Sequence, residues 1–478
     1  MKKYDLIVVG ASTTGSWFAT QMAKLGFSVL MIEKSSRDGI SRNYDVFHMA
    51  KAEMENFGFP IPEPGDIDYA FEFVGGAAYS AYGNYPKHTH TEVVGMHKHE
   101  YILRLNDNAV NDGVELVYEA DFSGFIFDEN GKIIGANYTT PDGEQSALAS
   151  IVCDCTGIPS AARRALPDGY GVENFEITAN DMFYVILYYV LYPEGHEKVI
   201  HTDSYLQYKC WSAPQPDENG GILGVGANLS FEYAEEMFRE FRKNVPWCQY
   251  TVQKIEKGAT PYRPSPYSVV ADGFIAMGDA ACTTKPNNGE GCTSALYLCE
   301  IAVDVISSAL KEGGYLSKER LWSINKKYND GQGKVFAAMR TMLIGAASLN
   351  NTENEYLFAN DIGFSEKVFG ALAGDGLDLG AADVIKMLKD IIKGVATSQI
   401  RLKFLGKLVG AAKNALEMLA HYSDYPETPD GFDEWVKKAD ELWAKVGSMS
   451  DNCNPEIIDR MNRRKENKIG TTVVTANQ

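Results

Sequence analysis

The chain opens with a strand, a glycine turn and a helix that leave it little choice of fold. Leu6-Ile7-Val8-Val9 is a short apolar run rich in β-branched residues, as a strand buried on both faces requires. Gly10-Ala11-Ser12-Thr13-Thr14-Gly15 turns at once into a segment, 16–24, whose Trp17, Phe18, Met22 and Ala23 share one helical face. Gly26 ends that helix, and Phe27 to Ile32 is a second strand closing on Glu33. The pattern is a βαβ unit with an acidic residue about 20 positions after the turn, which holds the adenosine half of a dinucleotide. Gly10 permits the tight turn. Gly15 lets the helix pack close, so that its amides and positive dipole end face a pyrophosphate, and Glu33 accepts from ribose hydroxyls. Ser12 stands where the middle glycine of such a turn usually sits.

A second stretch reads the same way. Val270 to Met277 delivers Gly278-Asp279, and a loop with Pro286, Gly289 and Gly291 leads into a helix over 292–310. A carboxylate after a buried strand can bind a polyol such as a ribityl chain. Amides at a helix start can stabilise negative charge on the pyrimidine edge of a reduced flavin.

The rest of the chain is organised around these two stretches. At 478 residues it exceeds one ordinary core, so two or three domains are expected. A net charge of -19 disfavours a nucleic-acid partner. Eight cysteines without a C-x-x-C pair suggest reduced thiols in a cytoplasmic protein, and no run is long and apolar enough to span a membrane. The segment 48–57 reads as a helix, and 69–94 as strands of a separate sheet. His88, His90, His97 and His99 have no fixed carboxylate or cysteine partner nearby and read as surface histidines, so no metal site is expected. Further on, 98–112 reads as a helix, 125–127 and 133–138 as a hairpin around Asp128-Glu129-Asn130-Gly131, 183–192 and 204–214 as strands, and 233–243 as an amphipathic helix.

The sequence resembles the flavoprotein monooxygenase superfamily, the p-hydroxybenzoate hydroxylase fold, and within it the geranylgeranyl reductase branch. The likeness rests on the N-terminal βαβ unit, on Gly278-Asp279-Ala280-Ala281 and on Pro286-Asn287-Asn288-Gly289-Glu290-Gly291. It is supported by Cys155-Thr156-Gly157-Ile158-Pro159-Ser160-Ala161-Ala162-Arg163-Arg164, which is similar to the family's middle motif with Thr156 replacing Asp, and it covers roughly residues 1–320. The resemblance implies an α/β fold: a Rossmann-like FAD-binding domain (1–66, 95–168 and 262–320) with an inserted β-rich substrate domain (67–94 and 169–261). Beyond the reach of the resemblance, the residues themselves read as a C-terminal α-helical domain (321–450) and a polar, loosely held tail (451–478). The resemblance also implies FAD as cofactor. Gly10, Ser12 and Lys34 would belong to the cofactor site, with Thr14 and Gly15 by the pyrophosphate and Glu33 on the ribose; Arg42 and Asn43 fall in the loop that passes the flavin, Lys98 takes the place of a family arginine at a helix start, and Ala120 that of a residue lining the adenine. Gly278, Asp279, Pro286, Gly289, Gly291 and Cys292 would surround the ribityl chain and isoalloxazine.

Two departures bear on the reaction. The loop after Glu33 holds Arg42-Asn43-Tyr44 where geranylgeranyl reductases usually carry a cysteine. Their substrate-strand motif is present only in part, as Tyr208-Lys209-Cys210-Trp211-Ser212-Ala213-Pro214. Tyr184, Tyr188, Tyr208 and Trp211 are the candidate lining of a pocket for a small hydrophobic or aromatic substrate; no motif names a catalytic acid. The leading expectation is reduction of a carbon–carbon double bond by hydride from reduced FAD. The alternatives are a monooxygenase or halogenase-type enzyme on an aromatic substrate, and a non-catalytic flavin or electron-carrier protein. No second dinucleotide fingerprint is present, so NAD(P)H would bind transiently or an electron-donor protein would serve. From Leu316 the chain reads as helices with a break at Gly374-Asp375-Gly376. In 383–419, lysines interleave with Ile385, Leu388, Ile392, Leu402, Leu405 and Leu408. That pattern fits either peripheral membrane contact or a lid or dimer surface with a solvated basic face. Substrate identity and oligomeric state are not written in the sequence.

Overall fold

The computed structural model describes residues 1–195, 201–205, 208–244, 249–370 and 381–475. Its strands divide between two eight-stranded sheets. The first contains β1 (Lys2–Val9), β2 (Val29–Ile32), β6 (Glu115–Val117), β7 (Asp121–Phe127), β8 (Ile133–Thr140), β9 (Gly143–Asp154), β15 (Val270–Ala271) and β16 (Phe274–Ala276). The second contains β3 (Val46–Ala50), β4 (Tyr69–Tyr79), β5 (Lys87–His97), β10 (Met182–Leu191), β11 (His201–Tyr205), β12 (Tyr208–Ala213), β13 (Gly220–Ala227) and β14 (Thr251–Pro261).

In the first sheet β1 runs parallel to both β2 and β9, and β16 parallel to β9. Leu6, Ile7, Val8, Leu30, Met31, Ile151 and Val152 have no exposed surface, which is why these strands carry no polar alternation. Helix α1 (Thr13–Lys24) is the crossover, and its Trp17 indole N–H donates to Phe57 O at 2.8 Å. The second sheet has the order β14-β10-β13-β12-β11-β4-β5-β3. It curls: Asp45, just before β3 at one edge, donates its N–H to Glu256 of β14 at the other edge, at 3.0 Å. Val46, Phe71, Tyr189, Ala213 and Ile222 form a small core inside the curl. The outer face is covered by α5 (Phe231–Asn244), which packs on β10 and β13.

Helix α2 (Lys51–Asn56) packs on β3 and β5 of the second sheet, and α3 (Lys98–Asn111), α4 (Ala161–Arg164) and α6 (Ser294–Glu312) pack into the core of the first; α7 (Lys318–Tyr328), α8 (Lys334–Ala346), α9 (Asn351–Ala359), α10 (Glu366–Gly370), α11 (Ala381–Ala396), α12 (Leu402–Ser423) and α13 (Phe432–Val446) form the helical part. Residues 46–50 are strand, taking in the first three residues of the expected 48–57 helix, because pairing with the 87–97 strand outweighs a local helical pattern. The expected loose tail is corrected as well. It forms α14 (Pro455–Thr475), which lays Ile457 and Met461 against the α5 cluster and pairs Arg460 with Glu240 at 2.9 Å and Arg464 with Glu236 at 2.7 Å. His99 is buried with Nδ1 at 2.7 Å from Ile40 O rather than at the surface. The break at 374–376 lies outside the described residues.

Candidate functional site

The nucleotide end is built by close backbone approach. Gly10 has φ +102°, and a Cβ there would come within 2.5 Å of Cys155 O; a Cβ on Gly15 would come within 1.9 Å of Gly10 O. Only hydrogen fits at either place, so α1 is drawn tight onto the turn. Ser12 is the N-cap of α1 with ordinary extended backbone (φ -84°, ψ -166°), which explains why glycine is not required there. Its side chain makes no capping hydrogen bond, and the first turn holds no acidic residue, so the first-turn amides lack a side-chain acceptor. Such a helix end carries roughly half a positive charge and favours a phosphate. The buried Glu33 carboxylate, at the end of β2, is fixed by the N–H of Ala11 at 3.1 Å and of Ser35 at 2.8 Å. Ala120 is buried beside it and donates its N–H to Glu33 O at 2.9 Å, while Lys34 is exposed.

The second stretch arrives at the same place. A Cβ on Gly278 (φ +64°) would stand 2.9 Å from Thr14 Oγ1, and the Cys292 thiol contacts the Thr13 hydroxyl. Asp279 accepts from Thr284 Oγ1 at 2.7 Å, and burial pushes its carboxyl upward. Glu290 caps α6, accepting from the N–H groups of Thr293 at 2.8 Å and Ser294 at 3.1 Å. Gly291 and Cys292 lie just ahead of that cap. Gly289 (φ +75°) closes the loop against Thr260, where a Cβ would be 3.2 Å from Cγ2. Pro286 lines a narrow cleft of about 20 Å³ with Tyr262, Tyr328 and Arg340. Lys98 donates to Asn43 Oδ1 at 2.8 Å and lies 5.4 Å over the Tyr44 ring; burial lowers its pKa, opposed by Cys292, Asp279 and Glu256. Arg42 is exposed and donates its Nε–H to Asp38 O at 2.9 Å. Burial pushes the Cys282 and Cys292 thiols up to about 12, so both remain protonated at neutral pH.

These residues fit FAD. The uncapped amides at α1 suit a pyrophosphate, Asp279 suits a ribityl chain, and the glycines leave room that side chains would fill. Asn287 Oδ1, in the Pro-x-x-Gly loop, is buried and has no hydrogen-bond partner among the described residues, so it is free to accept from a ligand. Asn287, Thr13, Thr284 and Tyr44 were not among the expected site residues. For Asn287, Thr13 and Thr284 the signal is a place within the two glycine stretches, and for Tyr44 it is a place next to Arg42 and Asn43.

The expected substrate residues divide between the two faces of the second sheet. Tyr184 packs against Phe231 with ring centroids 4.9 Å apart, and Tyr188 stacks on Phe238 at 4.8 Å, both on the α5 side. Trp211 lies on the inner face, across Gly224, where a Cβ would fall 2.1 Å from the indole. The side chain of Tyr208 lies outside the described residues. On the inner face Tyr189 donates its hydroxyl to Glu256 Oε2 at 2.9 Å, and the Tyr44 hydroxyl would sit 1.8 Å from a Cβ on Gly258.

No family model matches the chain. It is 24% identical over 453 residues to a digeranylgeranylglycerophospholipid reductase of Sulfolobus acidocaldarius, covering 92% of this chain and 97% of that protein. It is 25% identical over 379 residues to the protein of the same name from Methanocella arvoryzae, covering 74% and 93%. Among solved structures it is similar to a geranylgeranyl bacteriochlorophyll reductase-like protein of Thermoplasma acidophilum, with a TM-score of 0.69 at 19% identity over 82% of this chain and 100% of that one. It is also similar to the p-nitrophenol 4-monooxygenase of Pseudomonas putida, with a TM-score of 0.57 at 16% identity over 81% and 99%. The shared fold and the likeness along nearly the whole chain agree with the site geometry: the protein is an FAD-dependent oxidoreductase with the p-hydroxybenzoate hydroxylase fold, similar to geranylgeranyl reductases.

Proposed function

We propose that the protein reduces carbon–carbon double bonds of an isoprenoid chain, carried by a lipid or lipid precursor. The likeness over 92% of the chain to a relative named for that activity carries the reading. FAD, when bound, supplies the hydride. The protein's own residues do the rest: the two glycine stretches fix the nucleotide, Asp279 holds the polyol, and the inner face of the second sheet offers an apolar surface. There Val185 and Leu187 share a side with Trp211, whose indole covers Gly224, and Gly226 beside them is bare. Such a surface binds hydrocarbon and excludes water. Electrons would reach the site from a transient NAD(P)H or from a donor protein. The test is anaerobic: dithionite-reduced holoenzyme is mixed with a geranylgeranyl lipid. The expected result is return of the oxidised flavin spectrum and a product 2 mass units heavier per double bond, on the order of simple hydrogen addition. Reoxidation only by oxygen, stimulated by an aromatic compound, would replace this reading with the monooxygenase one.

A long apolar substrate has to be taken from somewhere. On α11 and α12, Ile385, Leu388, Ile392, Leu402, Val409 and Leu416 are each more than half exposed, at 52%, 55%, 68%, 72%, 60% and 68%. Lys386, Lys389, Lys393, Lys403, Lys407 and Lys413 flank them in a chain of net charge -19. No helix among the described residues is long and apolar enough to cross a membrane, so contact through this face would be peripheral. The protein is expected to co-float with phosphatidylglycerol vesicles and far less with neutral ones. Leu388→Glu with Ile392→Glu, both at exposed positions, is expected to abolish flotation without changing the melting temperature. Unaltered flotation by that variant would assign the face to another use, such as a lid or dimer surface.

A further inference from the structure

The inner face of the second sheet has a direction. Gly258 of β14, Val185 of β10, Gly226 of β13 and Lys209 of β12 stand opposite one another in register, so the four positions form one row on one face. With strands about 4.8 Å apart, the row is about 14 Å long. Its Gly258 end lies under the Tyr44 hydroxyl, Tyr44 lies under Lys98, and Lys98 feels Asp279 and Cys292 of the flavin loop. The row therefore starts beside the flavin site and ends at Lys209. Between these ends lie Val185 and Gly226, with Trp211 as a wall: a hydrocarbon floor.

A cation is out of place at the end of such a floor. The Lys209 ammonium lies 5.7 Å from the Trp211 ring centroid, and among the described residues it has no hydrogen bond and no carboxylate partner. His48 of β3 approaches from the other edge of the curl, with its ring edge-on to Phe73 at 6.2 Å, and it lies in the field of Lys209. His48 is exposed and Lys209 half-buried, so a ligand can reach both. Burial pushes Lys209 down to about 8; for His48, which keeps exposed surface, partial desolvation of the ring and the Lys209 charge push the imidazole below its usual range. An arriving anion would restore full charge to the amine, while the neutral imidazole offers one N–H. A desolvated ammonium without a counter-ion is costly, and a ligand oxyanion removes that cost.

We propose that Lys209, assisted by His48, anchors the phosphoryl oxyanion of the substrate's head group at the end of this row, with the isoprenoid chain lying across Gly226 and Val185 towards the flavin. The proposal rests on the isoprenoid reading above and adds the polar end of the ligand. Two sources share this chemistry, a prenyl diphosphate and the head group of a prenylated phospholipid.

The test uses the full-length FAD-loaded protein and reads binding apart from turnover. Calorimetric titration of the oxidised holoenzyme compares geranylgeranyl diphosphate, a geranylgeranyl ether phospholipid and geranylgeraniol, on wild type, Lys209→Met and Lys209→Arg. Lys209→Met is expected to weaken at least one phosphoryl ligand about tenfold or more, as loss of one charged contact does. Geranylgeraniol should change less than about twofold, and Lys209→Arg should keep most of the affinity. The phosphoryl ligand that loses affinity identifies the source. Equal loss for the alcohol and the phosphoryl ligands would reduce Lys209 to a packing role and overturn the proposal, as would no loss at all or no binding by wild type. A wild type that binds phosphoryl ligands through Lys209 yet reduces none of them would refute the reductase reading and leave the anchor standing.

Discussion

Gly15→Val is expected to give a protein that purifies without flavin. A single Cβ at this position would stand 1.9 Å from Gly10 O and 3.3 Å from Cys155 Cβ, and the first of these is backbone that cannot rotate away. The start of α1 must therefore move off the turn. Its neighbours Phe18, Ala19 and Met22 are fully buried against the first sheet, so the helix cannot shift freely as a body. Overpacking of this kind costs about 1–3 kcal/mol or more, and it displaces the amides that would face the pyrophosphate. The expected outcome is an FAD dissociation constant raised by at least about 100-fold, equivalent to about 2.7 kcal/mol. The ratio of flavin to protein absorbance after gel filtration, followed by titration of the apoprotein with FAD, reads it. A variant that keeps stoichiometric flavin would show that α1 does not carry the pyrophosphate.

Asp279→Ala should have the second-largest effect. The carboxylate is held by Thr284 Oγ1 at 2.7 Å within the loop that also brings Gly291 to 3.5 Å of Asp279 Oδ1, measured from its added Cβ. Charged hydrogen bonds are worth about 1.5–3 kcal/mol, so losing those to a polyol should weaken FAD by about 10- to 150-fold. Asp279→Asn keeps an acceptor for Thr284 and should fall between wild type and alanine. FAD fluorescence titration of the three apoproteins gives the order directly. An alanine variant with wild-type affinity would move the ribityl chain elsewhere.

Both effects were visible in the residues because both depend on short stretches. Gly10, Gly15 and Gly278 have steric roles set within a few residues of their own strands, and a buried parallel strand is recognisable from its composition. The same holds for α5, whose amphipathic period needs no partner to be read. Val46–Ala50 was different. It is a strand because 87–97, about forty residues on, offers it a ladder, and no local pattern announces that. The tail became helix α14 for a similar reason: Ile457 and Met461 find a cluster on α5, and Glu236 and Glu240 await Arg464 and Arg460. Tyr184 and Tyr188 show the limit in a strand whose presence was foreseen. A strand alternates its sides every residue, so which parity faces the substrate is fixed only when a helix covers the other face.

By itself, then, the sequence determined the βαβ unit at its start, the positions of its glycines and carboxylates, and the fold class, because these follow from backbone sterics and short-range order. The tertiary structure alone decided that Thr14 meets Gly278, that the Cys292 thiol reaches Thr13, and that Lys209 ends a row of glycines begun under Tyr44. Those contacts join residues up to some 280 positions apart, roughly the span from Thr13 to Cys292, and chain entropy makes such closures invisible until packing supplies the free energy that offsets them.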